Sequence, residues 1–144
     1  MFLALEDLSL QWQHLFSMTR YFFHLYLSIR FYQLFEVLKI EFDEQQISFT
    51  DLLEVFVETH DPTSLNQQGA DRGTQYRSAV FYIDSVQRDL AISLISSIPD
   101  AVTEISPLDV FYPAEGYHQN YYNNDPNQSY CQMVILPKIN KYFK

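Results

Sequence analysis

The stretch "EVLKIEFDEQQISFTDLLEVFVETHDP" (36–62) contains two different hydrophobic periods, one directly after the other. In residues 36–42 apolar side chains alternate with charged ones, which is typical of a strand with one buried face. Further along, apolar residues recur at helical spacing: Phe49, Leu52, Leu53 and Phe56. Ser48 and Asp51 form a potential capping pair before this pattern, and Pro62 ends it. The stretch therefore predicts a strand followed by a helix.

The rest of the chain continues this alternation of strand and helix patterns. Residues 77–84 and 101–106 are rich in strand formers, and between them lies a helical pattern (85–98) with Val86, Leu90, Leu94 and Ile98 at spacings of four. "PAEGYHQNYY" predicts a helix that begins at its proline, and "QMVILPK" a short buried strand or extended tail. Residues 1–35 contain no Gly or Pro, and we predict a helix there. Such an alternation indicates an α/β protein whose mixed sheet is layered with helices.

Composition excludes several classes of function. The chain has 144 residues and a net charge of −9, which fits one domain and disfavours nucleic acid or an anionic membrane surface as a partner. The one cysteine, Cys131, excludes an intrachain disulfide and favours a reducing compartment. Glu6 and Asp7 stand where an export signal would be basic, and the apolar run 21–29 is too short to span a bilayer. We expect a soluble cytoplasmic protein.

Glu36 is the first candidate for chemistry. Strand alternation places it on the apolar face of residues 36–42. A carboxyl group there would be partly desolvated, which raises its pKa and keeps it protonated near neutrality, as a general acid requires. The alternative is a strand-end glutamate that reaches solvent, because glutamates are rarely buried.

A second candidate is the loop around Asp71. Gly69 and Gly73 flank this aspartate, so the backbone can adopt positive φ on both sides of it. The alternative is a simple turn, although a loop this long inside a compact domain is often functional. Tyr76 offers a phenol donor near the end of the loop, and residues 77–78 are interpreted as ties for its backbone.

Metal and nucleotide chemistry find no support in the sequence. The four histidines have no ligand-like spacing and there is no cysteine cluster, so we predict no metal site: His14, His24, His60 and His118. A phosphate-binding loop, a dinucleotide fingerprint and a serine elbow are all missing from the chain.

Three strings resemble the A-type peptide-methionine sulfoxide reductases: "HDPTSLNQQGADRGTQYRSAVFY", "FYPAEGYHQNYY" and "SYCQMVILPKINKYF". The resemblance covers residues 36–144, which we predict to be a truncated domain of that family, and residues 1–35 form a divergent segment. It implies a mixed sheet in a ferredoxin-like two-layer sandwich, of the α+β type and incomplete at its start. If residues 1–35 did not fill the place of the first strand, an unpaired strand edge would be exposed.

The resemblance also implies a chemistry. In that family a cysteine thiolate attacks the sulfoxide sulfur while a protonated glutamate and tyrosine hydroxyls hydrogen-bond the oxygen, and thioredoxin-type thiols clear the resulting sulfenic acid. By position, Glu36 resembles the acid and Tyr76 one of the oxygen-binding tyrosines. Asp71 resembles the carboxylate that lines the pocket, and Tyr121 and Tyr130 resemble the tyrosines of the C-terminal half. The expected partners are methionine sulfoxide, free or in proteins, and thioredoxin, with no bound cofactor and a monomeric chain.

The sequence departs from the family at its nucleophile. The family cysteine lies in a "GCFWG" motif, and residues 1–35 contain neither this motif nor any cysteine. We expect residues 1–35 to derive from an alternative start, an exon or a shifted reading frame, which translation of the upstream DNA would test. Cys131 resembles a family cysteine that resolves the sulfenic acid in some members, or packs as a small apolar residue.

Two functions therefore remain open from the sequence. One is a peptide-methionine (S)-S-oxide reductase by family, inactive in this chain for lack of the nucleophile. The other is a non-catalytic methionine-sulfoxide-binding module or an incomplete gene product. A turnover assay and a binding titration distinguish them.

Overall fold

A mixed six-stranded sheet forms the centre of the protein. The computed structural model describes residues 2–4, 23–30, 33–109, 111–119 and 121–142. The strands are β1 (Phe2–Ala4), β2 (Phe23–Arg30), β3 (Gln33–Ile40), β4 (Gln67–Gln68), β5 (Asp71–Arg72), β6 (Ala79–Tyr82), β7 (Glu104–Pro107) and β8 (Phe111–Pro113). They follow the order β7-β6-β1-β3-β2-β8 across this sheet, and all neighbours are antiparallel except the parallel pair β6 and β7. A separate hairpin consists of β4 and β5.

The N-terminal segment differs from the predicted helix wherever it is described. Phe2–Ala4 is a strand between β3 and β6, with Leu3 opposite both Leu38 and Val80. Phe23–Arg30 is a strand that pairs with β3 along its whole length. Residues 33–35 of the predicted helix are also strand, as the start of β3, and its other residues lie outside the described residues. The aromatic and β-branched residues of β2 suit a strand as well as a helix, and pairing with β3 decides between the two.

The first described helix, α1 (Phe49–Thr59), confirms the prediction from its capping pair. The Ser48 hydroxyl accepts a hydrogen bond from the Asp51 amide at 3.1 Å, and an Asp51 carboxylate oxygen accepts one from the Ser48 amide at 2.9 Å. This reciprocal pair satisfies two donors that the helix itself leaves unpaired. The buried side chains are those that the helical spacing singled out: Phe49, Leu52, Leu53 and Phe56.

Removal of this cap gives a first testable prediction. Ser48→Ala should lower the free energy of unfolding by about 1 kcal/mol, because the Asp51 amide loses its acceptor. Urea denaturation followed by circular dichroism measures the change. Ser97→Ala is a suitable control, since the Ser97 hydroxyl donates only to a backbone carbonyl at an exposed helix end. Equal effects of the two substitutions would contradict the capping role.

The second helix, α2 (Ser85–Ile95), is present where it was predicted but buries a different face. It begins after Asp84, whose carboxylate accepts from the Gln87 amide at 2.9 Å. Its buried residues are Gln87, Ala91 and Ile95, whereas Val86 is 66% exposed. The helix also ends at Ile95 rather than at residue 98. The spacing of four identified a helix correctly. Leu94 and Ile98 of that pattern are partly buried against the core, while the fully buried stripe lies one residue further along.

The C-terminal segment contradicts two of the predicted elements. "PAEGYHQNYY" forms the end of β8, a 3-10 turn (Gly116–His118) and the short helix α3 (Tyr121–Asn124), not one helix. "QMVILPK" is helical rather than extended: a π-helix (Cys131–Ile135) runs into α4 (Leu136–Tyr142). Pro137 lies where the π-helix passes into α4, a change of helical geometry that accommodates a residue without an N–H donor.

The hydrophobic core lies between the sheet and the two longer helices. Buried side chains of β3, β6, α1 and α2 form it: Leu38, Ile40, Phe49, Leu52, Leu53, Phe56, Val80, Ala91 and Ile95. Sheet and helices thus make the two-layer α/β arrangement that was expected. Within the described part of the chain, none of the helices has the length and apolar character needed to cross a bilayer.

Candidate functional site

The loop that carries Asp71 and Tyr76 starts with a tight turn. The Asp61 carboxylate accepts hydrogen bonds from the amide and hydroxyl of Thr63, at 2.9 and 2.6 Å, and from the Ser64 hydroxyl. Hydrogen bonds from Ser64 and Thr63 lower the pKa of Asp61 to about 2. Asp61 therefore organises the entry to the loop as a charged acceptor.

A buried glutamine fixes the middle of the loop. Gln68, which is 7% exposed, accepts from the Asp61 amide through Oε1 at 3.1 Å. The β4–β5 hairpin then turns at Gly69 with φ of 57°, and Gly73 follows β5 with φ of 146°. Positive φ on both sides of Asp71 confirms the prediction made from the two glycines.

Tyr76 ends a 3-10 turn (Thr74–Tyr76) and is half-buried. This turn packs against β3, with Cα atoms of the two elements within 8 Å of each other. β3 is also the strand of Glu36, whose backbone pairs with Leu27 of β2. The surroundings of the Glu36 side chain lie outside what the structure describes, so its role stays a prediction. The fold does bring the loop of Asp71 and Tyr76 to the strand of Glu36.

Side chains beyond Tyr76 tie the end of the loop to β7. Arg77 donates to the Thr74 carbonyl and, through Nε, to the Glu104 carboxylate at 3.1 Å. The Ser78 hydroxyl lies 2.8 Å from the Thr103 hydroxyl, and the Ser78 carbonyl oxygen accepts a hydrogen bond from the Glu104 amide. The interpretation of residues 77–78 as ties for the loop agrees with these contacts.

His60 belongs to this network, although no role was predicted for it from the sequence. It caps the C-terminal end of α1 and is 8% exposed. Its Nδ1 hydrogen-bonds the Phe56 carbonyl oxygen, and its Nε2 lies 2.7 Å from the Ser78 hydroxyl. The signal that could have revealed it is its spacing of four residues from Phe56, on the buried face of α1.

Tyr121 and Tyr130 lie in a second cluster, built by the C-terminal segment. Both pack against a small buried core made of Tyr122, Cys131, Ile135 and Ile139. The Tyr121 hydroxyl donates to the Gln128 side-chain oxygen. Cys131 is fully buried as a free thiol, and burial raises its pKa, with a further increase from the charge of Asp125. Across the described residues, no group of three or more acidic, histidine or cysteine side chains is arranged to hold a metal ion.

Comparison with known proteins places this geometry in a family. The family model described as peptide methionine sulfoxide reductase matches residues 30–144, which include every predicted site residue. The chain belongs to the peptide methionine sulfoxide reductase family. Its match starts at residue 30, six positions before the predicted domain boundary, and the divergent character of residues 1–35 stays a prediction.

Curated relatives and solved structures agree with this assignment. The chain is 61% identical over 109 residues to the peptide methionine sulfoxide reductase MsrA of Vesicomyosocius okutanii, covering 75% of this chain and 67% of that one. It is 48% identical to the MsrA of Nautilia profundicola, with 76% and 65% covered. The chain thus spans about two thirds of the length of the curated relatives it matches.

Two solved structures share the fold. The methionine sulfoxide reductase A of Corynebacterium diphtheriae has a TM-score of 0.71 at 24% identity, covering 87% of this chain and 74% of that one. The reduced form of Mxr1 from Saccharomyces cerevisiae has a TM-score of 0.75 at 23% identity, with 90% and 87% covered. The α/β fold is therefore that of the methionine sulfoxide reductase A structures.

Burial of Cys131 leads to a prediction about thiol reactivity in this family member. Iodoacetamide should label the native chain at least about tenfold more slowly than the chain unfolded in urea, because a buried thiol with a raised pKa forms little accessible thiolate. Mass spectrometry of the Cys131 peptide over time measures both rates. Rapid labelling of the native chain would contradict the buried, structural state of this cysteine.

Proposed function

We propose that this chain binds methionine sulfoxide, free or within peptides, and does not reduce it without a further thiol nucleophile. Support comes from one structural observation above the others: the turn that ends in Tyr76 packs against β3, the strand that contains Glu36. A hydroxyl and a carboxyl donor from these two elements can then converge on one acceptor. Family membership over residues 30–144 indicates that the acceptor is a sulfoxide oxygen.

The recognition chemistry follows from the sulfoxide group. The sulfoxide oxygen is a strong hydrogen-bond acceptor, and the thioether of methionine has no such oxygen. Hydrogen-bond donors in a binding site therefore select the oxidised form of methionine. Tyr76 supplies a phenol, and Glu36 supplies a carboxyl group that stays protonated if it is desolvated on its strand. From the C-terminal cluster we propose Tyr130 as a donor, and Tyr121 once its hydroxyl turns from Gln128 to the ligand, with Asp71 at the rim of the pocket.

Reduction requires a group that we propose this chain lacks. Converting a sulfoxide to a thioether consumes two thiols and yields one disulfide and one water, and the first step is attack by a thiolate on sulfur. The chain has one cysteine, Cys131, and its thiol is fully buried with a raised pKa. Such a thiol is a poor nucleophile. Recycling by thioredoxin-type thiols would therefore apply only to a protein that also carries the family nucleophile.

The same proposal covers location and assembly. We infer a cytoplasmic, monomeric chain, in which the single cysteine stays reduced. Size-exclusion chromatography with light scattering tests the monomeric state. A dimer at micromolar concentration would overturn that part of the proposal.

A turnover and binding experiment tests the function. With dithiothreitol and N-acetylmethionine sulfoxide amide we expect no N-acetylmethionine amide above the buffer control. Calorimetry should show saturable binding of the sulfoxide. N-acetylmethionine amide should bind at least about tenfold more weakly, since it lacks the acceptor oxygen. Turnover would contradict the lack of a nucleophile. Equal binding of the two ligands would contradict recognition through the oxygen, and undetectable binding of both would identify an inert gene product.

A matched pair of tyrosine variants tests the site itself. Tyr76→Phe should weaken sulfoxide binding about tenfold and leave methionine binding unchanged, because one hydrogen bond to the oxygen is lost. Tyr82→Phe removes the same hydroxyl group from the half-buried end of β6, outside the loop, and should change neither affinity. Equal losses in both variants would show that Tyr76 does not contact the oxygen.

A further inference from the structure

The ring of His60 makes contacts through one face and through both nitrogens. One face stacks on Phe56, with ring centroids 3.8 Å apart and planes inclined by 32°. Nδ1 hydrogen-bonds the Phe56 carbonyl oxygen, and Nε2 lies 2.7 Å from Ser78 Oγ. Only 8% of the residue is exposed, so water does not compete for these contacts.

The chemistry of the partners fixes the direction of these hydrogen bonds. A carbonyl oxygen can only accept, so Nδ1 carries the proton, and in a neutral imidazole Nε2 must then accept. Ser78 therefore donates its hydroxyl proton to Nε2, and its oxygen can accept from the Thr103 hydroxyl at 2.8 Å. The result is a directed chain of hydrogen bonds from the end of α1, through the residue before β6, to the residue before β7.

This chain of hydrogen bonds joins the two ends of the site loop. His60 immediately precedes the loop that starts at Asp61, and Ser78 lies two residues after Tyr76. Inside the loop, Gln68 binds Asp61 and the Gly73 amide donates to the Asn66 carbonyl at 2.9 Å. The His60–Ser78 contact thus connects the two ends of this internally bonded loop directly, beside the backbone hydrogen bonds that hold Pro62 to Val102 and Ser78 to Glu104.

We propose that His60 is a positioning residue, whose neutral ring locks Ser78 to α1 and thereby sets where Tyr76 lies against β3. The consequence for ligand binding rests on the proposed function, but the effect on the loop does not. Burial favours the neutral ring that this arrangement needs. Two charges also act on the ring in opposite senses: Asp61 at the start of the loop raises the pKa of His60, and Lys138 in α4 lowers it.

Hydrogen exchange and sulfoxide binding, measured on the full chain, test this role. In His60→Gln and in Ser78→Ala the amides of residues 69–76 should exchange about tenfold faster. The reason is that the loop opens more often when the hydrogen bond between residues 60 and 78 is lost. N-acetylmethionine sulfoxide amide should bind about tenfold more weakly to both. The double variant should show little additional loss, because both residues act through the same contact.

Three comparisons separate positioning from a general loss of stability. Gln87→Leu alters another buried polar residue, which accepts from the Ile83 amide at 3.2 Å, and should leave exchange in residues 69–76 unchanged. Thr103→Ser keeps the hydroxyl that hydrogen-bonds Ser78, and this variant should behave as the unmodified protein. Thr103→Val removes that hydroxyl and should accelerate amide exchange in the loop. If His60→Gln fails to fold, the Thr103 pair and Ser78→Ala still decide the question.

The outcomes are distinct for the two proposals. Loop exchange that stays unchanged in Ser78→Ala and Thr103→Val, or that rises equally in Gln87→Leu, overturns the positioning role. Faster loop exchange with no sulfoxide binding in the unmodified chain supports positioning and rejects the proposed function. Faster exchange together with weaker sulfoxide binding supports both.

Discussion

Phe56→Ala should destabilise the protein by about 3–5 kcal/mol, the largest effect that we expect from a single substitution. Phe56 is fully buried in the core between the sheet and the helices, so its removal leaves a cavity among large apolar side chains. The substitution also removes the aromatic ring that stacks on His60. Thermal and urea denaturation measure the loss of stability.

Val86→Ala provides the control for this substitution. Val86 is also an apolar helical residue, but its side chain faces solvent, and we expect a change of no more than about 0.5 kcal/mol. A loss of less than about 1.5 kcal/mol in Phe56→Ala would show that the helix does not pack on the sheet as described.

Acidification from pH 6.5 to pH 4 should lower the free energy of unfolding by about 3 kcal/mol through His60 alone. Burial lowers the pKa of His60 to about 4, against an ordinary value of 6.5; the hydrogen bond to Phe56 and the charge of Asp61 oppose this shift, and Lys138 adds to it. Between these two pH values the unfolded chain binds a proton that the folded chain does not. Stability is therefore complete above about pH 6.5 and falls by about 1.4 kcal/mol for each pH unit below it, until the folded protein also protonates.

Urea denaturation at half-unit pH intervals, on the full chain and on His60→Gln, isolates this contribution. The variant lacks the titrating ring. The difference in the free energy of unfolding between the two proteins should therefore change with pH between about 6.5 and 4, and should become constant below about pH 4. The shifted carboxylate of Asp61 acts in a lower window, because its pKa is lowered from 3.8 to about 2 and its stabilisation disappears only as pH falls through that range. Parallel curves for the two proteins would show that His60 is not held neutral by burial.

Local signals in the sequence were sufficient for some elements. α1 was predicted with its cap because Ser48, Asp51 and four apolar residues act within a single helix. The two glycines around Asp71 were also informative, since the ability to adopt positive φ belongs to glycine itself and needs no distant partner. Strand alternation selected Glu36 and the loop selected Tyr76, whereas Tyr121 and Tyr130 received their roles from resemblance to the family. The contacts of all four with a ligand remain predictions.

Other features needed partners that lie far away in the chain. Phe2–Ala4 is a strand because β3 and β6 offer hydrogen bonds on both of its sides, so the sheet has no open edge there. Cys131, Ile135 and Ile139 form one buried stripe because "QMVILPK" is helical and packs on Tyr122, although its apolar run suits a strand as well. Short apolar runs are ambiguous in this way until their neighbours are known.

The sequence by itself determined the family, the strand–helix unit of residues 36–62 and the loop that carries Asp71 and Tyr76. Only the tertiary structure decided that His60 and Ser78, 18 residues apart, meet at the base of that loop, and that Cys131 is buried. Hydrophobic period and turn chemistry are local properties that a sequence displays directly. Burial and the pKa of an ionisable side chain depend on which distant groups exclude water from it, and folding alone brings those groups together.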